Sequence, residues 1–384
     1  MTAPVSVSSD DRHTRLFRLI ALAIPLVFTE LFGFAATRLA PELFDQRDAV
    51  LATLTPAAFA QFRALVASPV LGWDNPAGTT RRAANCGHVD IAYTYDADRL
   101  RVHGRATLRD AVVLVAGDSF TQGAEVPDGD TFPAALERML GVPVANLGVG
   151  AYGPDQALIK LESLIDRAPR ARVLVLAIMY EDVIRMLNSY RPVVFSRTGI
   201  RFGLKPYLRN GAFVPLADRD PFRDFPAMRA AADDAFDHDF WARPRPRFPF
   251  TAALVRAALA PANWYPALQR VTGWLGWPRD RLLYSLPPVR RGLSAVYDRF
   301  ARLAETRKLT AVVAFIPQEF ADHTSGEIAL RAATDAQRRA IRFLNVGADI
   351  DWAHFTGPTC HPNADGYRMI ADEVARAVRP LLAL

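Results

Sequence analysis

The chain has 384 residues, of which 51% are hydrophobic and 22% are charged, and its formal net charge is +6. This composition supports a large hydrophobic core and excludes a globally disordered chain. The arginines are scattered, without a dense basic stretch interleaved with aromatic residues, so we expect no nucleic-acid partner. The length allows two average domains or one large domain with insertions.

The N-terminal segment predicts a membrane anchor. An apolar run from Leu19 to Thr37 lies between Arg18 and Arg38 and is long enough to cross the hydrocarbon core of a bilayer. Arg12, Arg15 and Arg18 precede it, so the positive-inside rule leaves the rest of the chain outside the cytoplasm. We therefore expect a cytoplasmic tail over residues 1–15 and a single-pass anchor over residues 16–39 in a cell inner membrane, with the catalytic domain in the periplasm or outside the cell.

Two residues of this segment keep alternatives open. Glu30 is costly inside a membrane unless it is protonated or near the interface, and Pro25 also weakens a spanning helix. An ordinary buried helix is one alternative. A cleaved signal peptide is another, although no clean small-residue cleavage site follows.

Residues 40–110 form a mixed lead-in segment, after which strands and helices alternate. The apolar runs AVVLVAG, VPVANLG and ARVLVLAIM predict buried strands. The segments TFPAALERML, GPDQALIKLESLIDRA and EDVIRML predict the helices that follow them, with Pro154 at a favourable first position.

The alternation breaks over about residues 188–288, which are rich in proline, arginine and aromatic residues and predict a long cap-like insertion. The pattern resumes with a helix over VRRGLSAVYDRFARLAETRK and a strand over LTAVVAFIP. We then predict one helix over GEIALRAATDAQRRAIRFL, residues 326–344, and a final helix over NADGYRMIADEVARAV. The fold class is α/β: a three-layer, flavodoxin-like parallel sheet with helices on both faces, over residues 111–384.

Ser119 and His361 are the pair best placed for chemistry. Ser119 directly follows the first core strand, and sites in such sheets lie at the carboxyl ends of strands. A serine becomes a nucleophile only when a base takes its proton. His361 precedes Pro362 and Asn363, a capped start of the last helix, which often packs beside the first strand. Each residue alone also has a purely structural explanation.

Four motifs of the chain resemble those of a known family. GDSFTQG resembles the first block of the SGNH/GDSL hydrolases, and HPNADGY resembles their last block. Between them, VANLGVGAYGPDQ resembles the glycine block of membrane-anchored bacterial members, and VLVLAIMYED resembles the third block of the family. The resemblance implies a serine ester hydrolase with Ser119 as nucleophile and His361 as base. We expect no cofactor.

The resemblance also assigns an oxyanion hole. In the family this hole consists of the serine N–H, a glycine N–H and an asparagine amide. Counting from Asn146, the place of the glycine falls on Ala151, beside Gly150, and a backbone N–H survives that change. We therefore expect Ser119, Gly150 and Ala151 at the oxyanion position, with Asp118 and Asn146 lining the site.

Two positions depart from the family pattern. Glu181 stands where the family has asparagine, and a carboxylate there repels a developing oxyanion unless it is protonated. Pro358 stands where the family has the aspartate that orients the histidine. Asp351 is the nearest upstream substitute and is our candidate orienting acid. Asp182 is expected to line the site beside Glu181.

Other functions remain open at this stage. The fold could serve a polysaccharide O-acetyltransferase, since anchored relatives include such enzymes, or a degenerate carbohydrate-binding or scaffold protein of the cell envelope. The glycines of GVGAYG, residues 148–153, also match a weak dinucleotide-binding pattern. The expected partners are an acyl-ester substrate, with an O-acetyl glycan ester as the best candidate, and the membrane. Cys86 and Cys360 fit no zinc pattern, no metal cluster is visible, and the two thiols are either bridged or free.

Overall fold

The computed structural model describes residues 9–84, 90–104, 107–194, 200–216, 220–277, 279–316, 329–346, 350, 352–355 and 361–382. The described helices, in chain order, are α1 (Ser9–Leu39), α2 (Arg47–Ala52), α3 (Pro56–Leu65), α4 (Ser119–Gln122), α5 (Phe132–Leu140), α6 (Pro154–Leu164), α7 (Tyr180–Arg185), α8 (Phe225–His238), α9 (Phe250–Leu259), α10 (Pro261–Trp274), α11 (Arg279–Ser285), α12 (Pro287–Arg307), α13 (Asp335–Ala340) and α14 (Ala364–Leu382). The strands are β1 (Ala67–Ser68), β2 (Gly72–Trp73), β3 (Thr79–Ala84), β4 (Asp90–Tyr95), β5 (Val113–Ala116), β6 (Val144–Asn146), β7 (Val173–Ile178), β8 (Tyr207–Arg209), β9 (Ala212–Val214), β10 (Thr310–Phe315) and β11 (Ile341–Asn345).

Five strands form a parallel sheet in the order β11-β10-β7-β5-β6. β5 lies beside β7, with Leu114 opposite Leu174, and β7 lies beside β10, with Leu174 opposite Ala311. The central strands are apolar at every position because helices cover both faces.

Alternation along β5 separates the two halves of the core. Leu114 and Ala116 face a cluster that includes residues of α6 and α12, whereas Val113 and Val115 face a cluster that includes residues of α5 and α14. The predicted three-layer α/β fold is therefore confirmed.

One element of the sequence prediction is wrong. Residues 326–344 do not form a single helix, because α13 ends at Ala340 and Ile341–Asn345 is the edge strand β11. The Ile341 side chain is buried, and the strand pairs in parallel with β10, with Ala311 opposite Ile341. Pairing with the sheet satisfies the backbone groups of this segment, and tertiary contacts of this kind override a weak helical preference.

The insertion packs against the lead-in segment. Phe59 and Phe62 of α3 contact Phe202, with ring centroids 5.6 Å and 5.3 Å apart. The buried Arg47 guanidinium of α2 lies 2.6 Å from Asp237 of α8. The insertion itself contains the β8–β9 hairpin and the helices α8 to α11.

α1 is long, and its span His13–Leu39 is apolar enough to cross a membrane by length and composition. Almost all of its large apolar side chains are exposed.

Candidate active site

Ser119 lies at the carboxyl edge of the sheet. β5 ends at Ala116, and the short helix α4 begins at Ser119, with the Asp118 carboxylate accepting a hydrogen bond from Phe120 N–H at 2.9 Å. This cap fixes the turn that presents the Ser119 hydroxyl, which is half-buried. Ser119 therefore occupies the edge where parallel α/β folds place their sites.

His361 reaches the same edge from the far end of the chain. Its Nε2 lies 2.9 Å from Ser119 Oγ, across a separation of 242 residues. Asn363 caps α14 by accepting a hydrogen bond from Gly366 N–H at 3.0 Å, and Asn363 N–H donates to His354 O at 2.8 Å. These bonds hold the backbone that carries the imidazole, and the ring packs 5.3 Å from the ring of Phe120.

A carboxylate lies behind the histidine. Glu125 Oε1 is 3.6 Å from His361 Nδ1, and the Glu125 side chain is only 1% exposed. Glu125 has a φ of 70°, in the left-handed region, and its N–H donates to Tyr93 Oη at 2.9 Å. The predicted orienting acid Asp351 lies outside the described residues, as do Pro358, Cys86 and Cys360. Glu125 is thus an acid at the imidazole that the sequence prediction missed.

The loop that carries Glu125 is held by a buried arginine of the lead-in segment. The side chain of Arg101 is fully buried and donates hydrogen bonds to the backbone carbonyls of Gln122, Gly123 and Val126. Its Nε also donates to Asp128 at 2.9 Å. One guanidinium therefore satisfies several carbonyls in a loop that has little regular structure of its own.

The glycine block forms the next wall of the site. A Cβ added at Gly148 would lie 2.1 Å from Gln122 N, so the close approach of this loop to α4 requires glycine. This packing also gives the GVGAYG pattern a structural reason that involves no nucleotide. Asn146 is fully buried and accepts a hydrogen bond from Gly148 N–H at 3.0 Å.

Lead-in residues support the same loop from outside. Trp73 Nε1 donates to Gly150 O at 3.0 Å, and Tyr152 Oη donates to Trp73 O at 2.5 Å. Asn75 Nδ2 donates to Gly148 O at 2.9 Å. The lead-in segment is thus part of the framework of the site.

Ala151 takes a backbone conformation that favours glycine. Its φ is 66°, a left-handed value that costs an alanine about 1–2 kcal/mol. Neither Ser119 N–H nor Ala151 N–H donates a hydrogen bond to another described residue. Both N–H groups therefore have no hydrogen-bond acceptor among the described residues.

A cluster of buried charges lies beside the nucleophile. The Arg185 guanidinium contacts three carboxylates: Asp118 at 3.0 Å, Asp182 at 2.7 Å and Glu181 at 2.7 Å. Ser119 Oγ lies 3.2 Å from Asp118 Oδ2, so the hydroxyl proton has a second acceptor besides His361. Arg185 follows Glu181 and Asp182 by four and three residues, a spacing that predicts contact on one helix face.

The charges in this cluster perturb one another. Burial acts to lower the pKa of Arg185, but the carboxylates of Asp182, Glu181 and Asp118 outweigh it and raise that pKa above its ordinary value. Burial also raises the pKa of Asp182 well above its ordinary value, and the neighbouring Asp118 charge raises it further. Glu181 therefore shares the positive charge of Arg185 with two other carboxyl groups.

A second buried ion pair fixes the end of α7. Lys205 Nζ lies 2.8 Å from Asp155 Oδ2, and both side chains are fully buried. The same ammonium donates hydrogen bonds to the backbone carbonyls of Arg185 and Asn188, each at 3.1 Å. The insertion, which carries Lys205, thereby orders the residues that hold the charge cluster.

The similarity of this chain to known proteins is low. No protein-family model matches the chain, and no curated protein matches it. Two solved structures whose names refer to the lipolytic G-D-S-L family are similar to it. One, from Desulfitobacterium hafniense DCB-2, covers 69% of this chain and 97% of its own, with a TM-score of 0.32 and 11% identity. The other, from Veillonella parvula DSM 2008, covers 69% of this chain and 96% of its own, with a TM-score of 0.29 and 13% identity.

Proposed function

We propose that this chain is a serine ester hydrolase of the SGNH type, with Ser119 as nucleophile and His361 as general base. The observation that carries the proposal is the 2.9 Å distance between Ser119 Oγ and His361 Nε2 at the carboxyl edge of the sheet. A serine and a histidine within hydrogen-bond reach, with a third group behind the histidine, form the arrangement that activates a hydroxyl.

The reaction follows from these positions. His361 Nε2 takes the hydroxyl proton as Ser119 Oγ attacks the ester carbonyl, and it then returns the proton to the departing alcohol. The N–H groups of Ser119 and Ala151 stabilise the oxyanion of the tetrahedral intermediate. Water, activated by the same imidazole, then releases the acyl group from Ser119.

We assign the orienting role to Glu125. Its buried carboxylate, 3.6 Å from His361 Nδ1, stabilises the imidazolium that forms when the serine loses its proton. The ion pair between Glu181 and Arg185 weakens the repulsion between this carboxylate and the oxyanion. The two departures from the family pattern, at Glu181 and Pro358, therefore have structural counterparts in Arg185 and Glu125.

The setting of the enzyme is also part of the proposal. We propose that α1 is a single-pass anchor in the inner membrane, with the catalytic domain in the periplasm. Its length, its exposed apolar side chains and the preceding arginines support this orientation. The proposed substrate is a small acyl ester, in particular an acetyl ester of a glycan, as the sequence resemblance to anchored bacterial relatives suggests.

The test combines covalent labelling and turnover of the full chain in detergent. We expect a fluorophosphonate probe to label the wild-type protein, and we expect the protein to hydrolyse p-nitrophenyl acetate. Ser119→Ala should abolish both, and His361→Ala should slow both. Ser163→Ala is the matched control, since this serine lies on α6 and bonds only Lys160 O among the described residues.

Labelling that persists in Ser119→Ala, or equal hydrolysis by wild type and both site variants, would contradict the proposal. Absence of any reaction in the wild type would favour a scaffold or carbohydrate-binding role. Hydrolysis and transfer share the acyl-enzyme, so an oligosaccharide acceptor is added in a second series. Acetylated sugar formed at the expense of free acetate would identify an acetyltransferase.

A further inference from the structure

The insertion presents an unusual apolar surface. Outside α1, the described residues include eleven large hydrophobic side chains that are strongly exposed, and eight of them lie between Phe248 and Trp277. The most exposed are Trp274 at 86% and Phe248 at 74%, and Val255, Leu259, Val271 and Trp277 lie in the same segment. We call residues 248–277 the apolar segment. An exposed patch of this kind marks a site of interaction.

The apolar segment is joined to α1 by specific contacts. The Glu30 carboxylate accepts hydrogen bonds from Phe250 N–H at 2.5 Å and Thr251 N–H at 3.1 Å, which are the first residues of α9. A Cβ at Gly33 would lie 2.8 Å from the Phe250 carbonyl carbon, so α9 meets α1 at close range. The ring of Phe34 packs 5.2 Å from that of Phe250.

These contacts place the start of α9 at a definite depth. Glu30 follows Arg18 by twelve residues and precedes Arg38 by eight. At 1.5 Å per residue, Glu30 therefore lies about 18 Å from one flanking arginine and about 12 Å from the other. The hydrocarbon core is about 30 Å thick, so Glu30 falls inside its outer half. A residue that is costly in lipid is thus used to cap a second helix at that depth.

α9 then rises toward the outer surface. Its residues Ala253 and Ala257 pack with Phe44, which follows the end of α1. A helix of ten residues spans about 15 Å, close to the distance from the level of Glu30 to the outer interface. Val255 and Leu259 are exposed on this helix, beside the exposed face of α1.

A basic cavity lies at the edge of the apolar segment. It has a volume of about 540 Å³ and is lined by Arg243, Arg245, Arg247 and Arg256 together with Phe248 and other residues. Asp237 and Asp239 also line it. Asp237 is paired with Arg47, and Arg245 lies 3.4 Å from Asp48. Arginines beside lipid-facing apolar residues suit the phosphates of phospholipid headgroups.

We propose that the apolar segment is embedded in the outer leaflet of the membrane beside α1, with phospholipid phosphates bound at the arginine cavity. The occupant is the bilayer because α9 continues the exposed apolar surface of α1 from the level of Glu30, and because arginines that suit headgroup phosphates line the adjoining cavity. Trp274 and Trp277 lie at the interface, where tryptophan is favoured. The inference rests on α1 being the proposed anchor and is independent of the ester chemistry.

The test uses the full chain in nanodiscs made with brominated phosphatidylcholine, which quenches tryptophan fluorescence at short range. We expect strong quenching of the wild type and about twofold less quenching of a Trp274→Phe/Trp277→Phe variant, because these two rings sit among the lipids. Trp241→Phe is the control outside the apolar segment. Its indole is buried and donates to Ile184 O, so this variant should be quenched at least as strongly as the wild type.

Alkaline extraction of membranes separates the possible failures. If alkali releases the chain from the membrane, α1 is not an anchor, and this inference fails with the anchor. A chain that stays in the membrane while the double variant is quenched as strongly as the wild type would overturn the embedded segment alone. Quenching that disappears on binding of a second protein would assign the surface to that protein and also overturn the proposal.

Binding of phospholipid phosphates at the arginine cavity is tested by a separate measurement. An Arg245→Gln/Arg247→Gln variant should retain several-fold less phosphatidylglycerol relative to phosphatidylcholine after detergent extraction, measured by mass spectrometry of bound lipid. An Arg302→Gln/Arg376→Gln variant removes the same charge from exposed positions outside the cavity and should behave as the wild type. Equal lipid ratios in both variants would refute the headgroup site.

Discussion

Replacing Glu125 with glutamine tests the part of the site that the sequence pattern did not indicate. The change keeps the size of the side chain and removes its charge. Its Oε1 lies 3.6 Å from His361 Nδ1, and the side chain is 1% exposed, so solvent screens this interaction weakly. In the proposed reaction His361 becomes positively charged in the transition state, and the carboxylate is the charge that favours it.

The distance sets the size of the effect. Two unit charges 3.6 Å apart interact by about 4–5 kcal/mol at an effective dielectric constant of about 20. Glutamine retains a dipole, so we expect roughly half of this stabilisation to be lost, about 2–3 kcal/mol. Each 1.36 kcal/mol is a factor of ten in rate, so kcat/KM should fall about 30- to 150-fold.

The assay measures hydrolysis of p-nitrophenyl acetate and the rate of fluorophosphonate labelling for Glu125→Gln and Glu125→Asp. The loss should lie in kcat, and aspartate should restore part of it because it restores the charge. Glu137→Gln is a close control, since Glu137 Oε2 also lies 3.6 Å from a histidine nitrogen, that of His103, away from the site. Rates for Glu125→Gln within about threefold of the control would refute the orienting role.

Four further outcomes follow from the same structure. Arg185→Met leaves buried carboxylates without their partner and should cost about 3–5 kcal/mol of unfolding free energy in chemical denaturation. Arg101→Met removes the donor for three loop carbonyls, each worth about 1–3 kcal/mol when left unsatisfied, and should lower both stability and kcat. Ala151→Gly relieves the positive φ and should raise stability by up to about 1 kcal/mol while labelling continues, whereas a loss of stability would contradict the backbone assignment. Burial acts to raise the pKa of Glu137, but hydrogen bonds from His103 and Val144 N–H outweigh it and lower this pKa below its ordinary value of 4.5. The ionised Glu137 carboxylate therefore stabilises the fold above pH 4.5, and this stabilisation is lost as the pH falls through the lowered pKa. The Tm should therefore fall less between pH 6 and pH 3 in Glu137→Gln than in the wild type.

The sequence indicated the parts of the fold that depend on local pattern. Apolar runs marked β5, β7 and β10 because both faces of a central parallel strand are covered. The polar residues directly after the first core strand indicated Ser119, and the capping residue Asn363 at the start of the last helix indicated the position of His361. These signals are local, and each can be interpreted from a few neighbouring residues.

Other parts depend on contacts between distant residues. Ile341–Asn345 became a strand because an unfilled edge of β10 was available, and nothing in its own sequence specifies that edge. Glu125 reaches His361 only because the loop turns with a positive φ and Arg101 fixes its carbonyls. The partners of Arg185 within α7 were visible from their spacing, but its contact with Asp118 required the folded sheet.

The support that Trp73, Asn75 and Arg101 give to the site has a practical consequence for anyone who shortens this protein. A fragment beginning near Val112 would still contain every strand of the main sheet and both halves of the Ser119–His361 pair. It would lack the indole, the amide and the guanidinium that hold the two loops around that pair. Such a fragment would keep the strands of the sheet and lose the framework of the proposed site, so a shortened form should retain the lead-in segment from α2 onward.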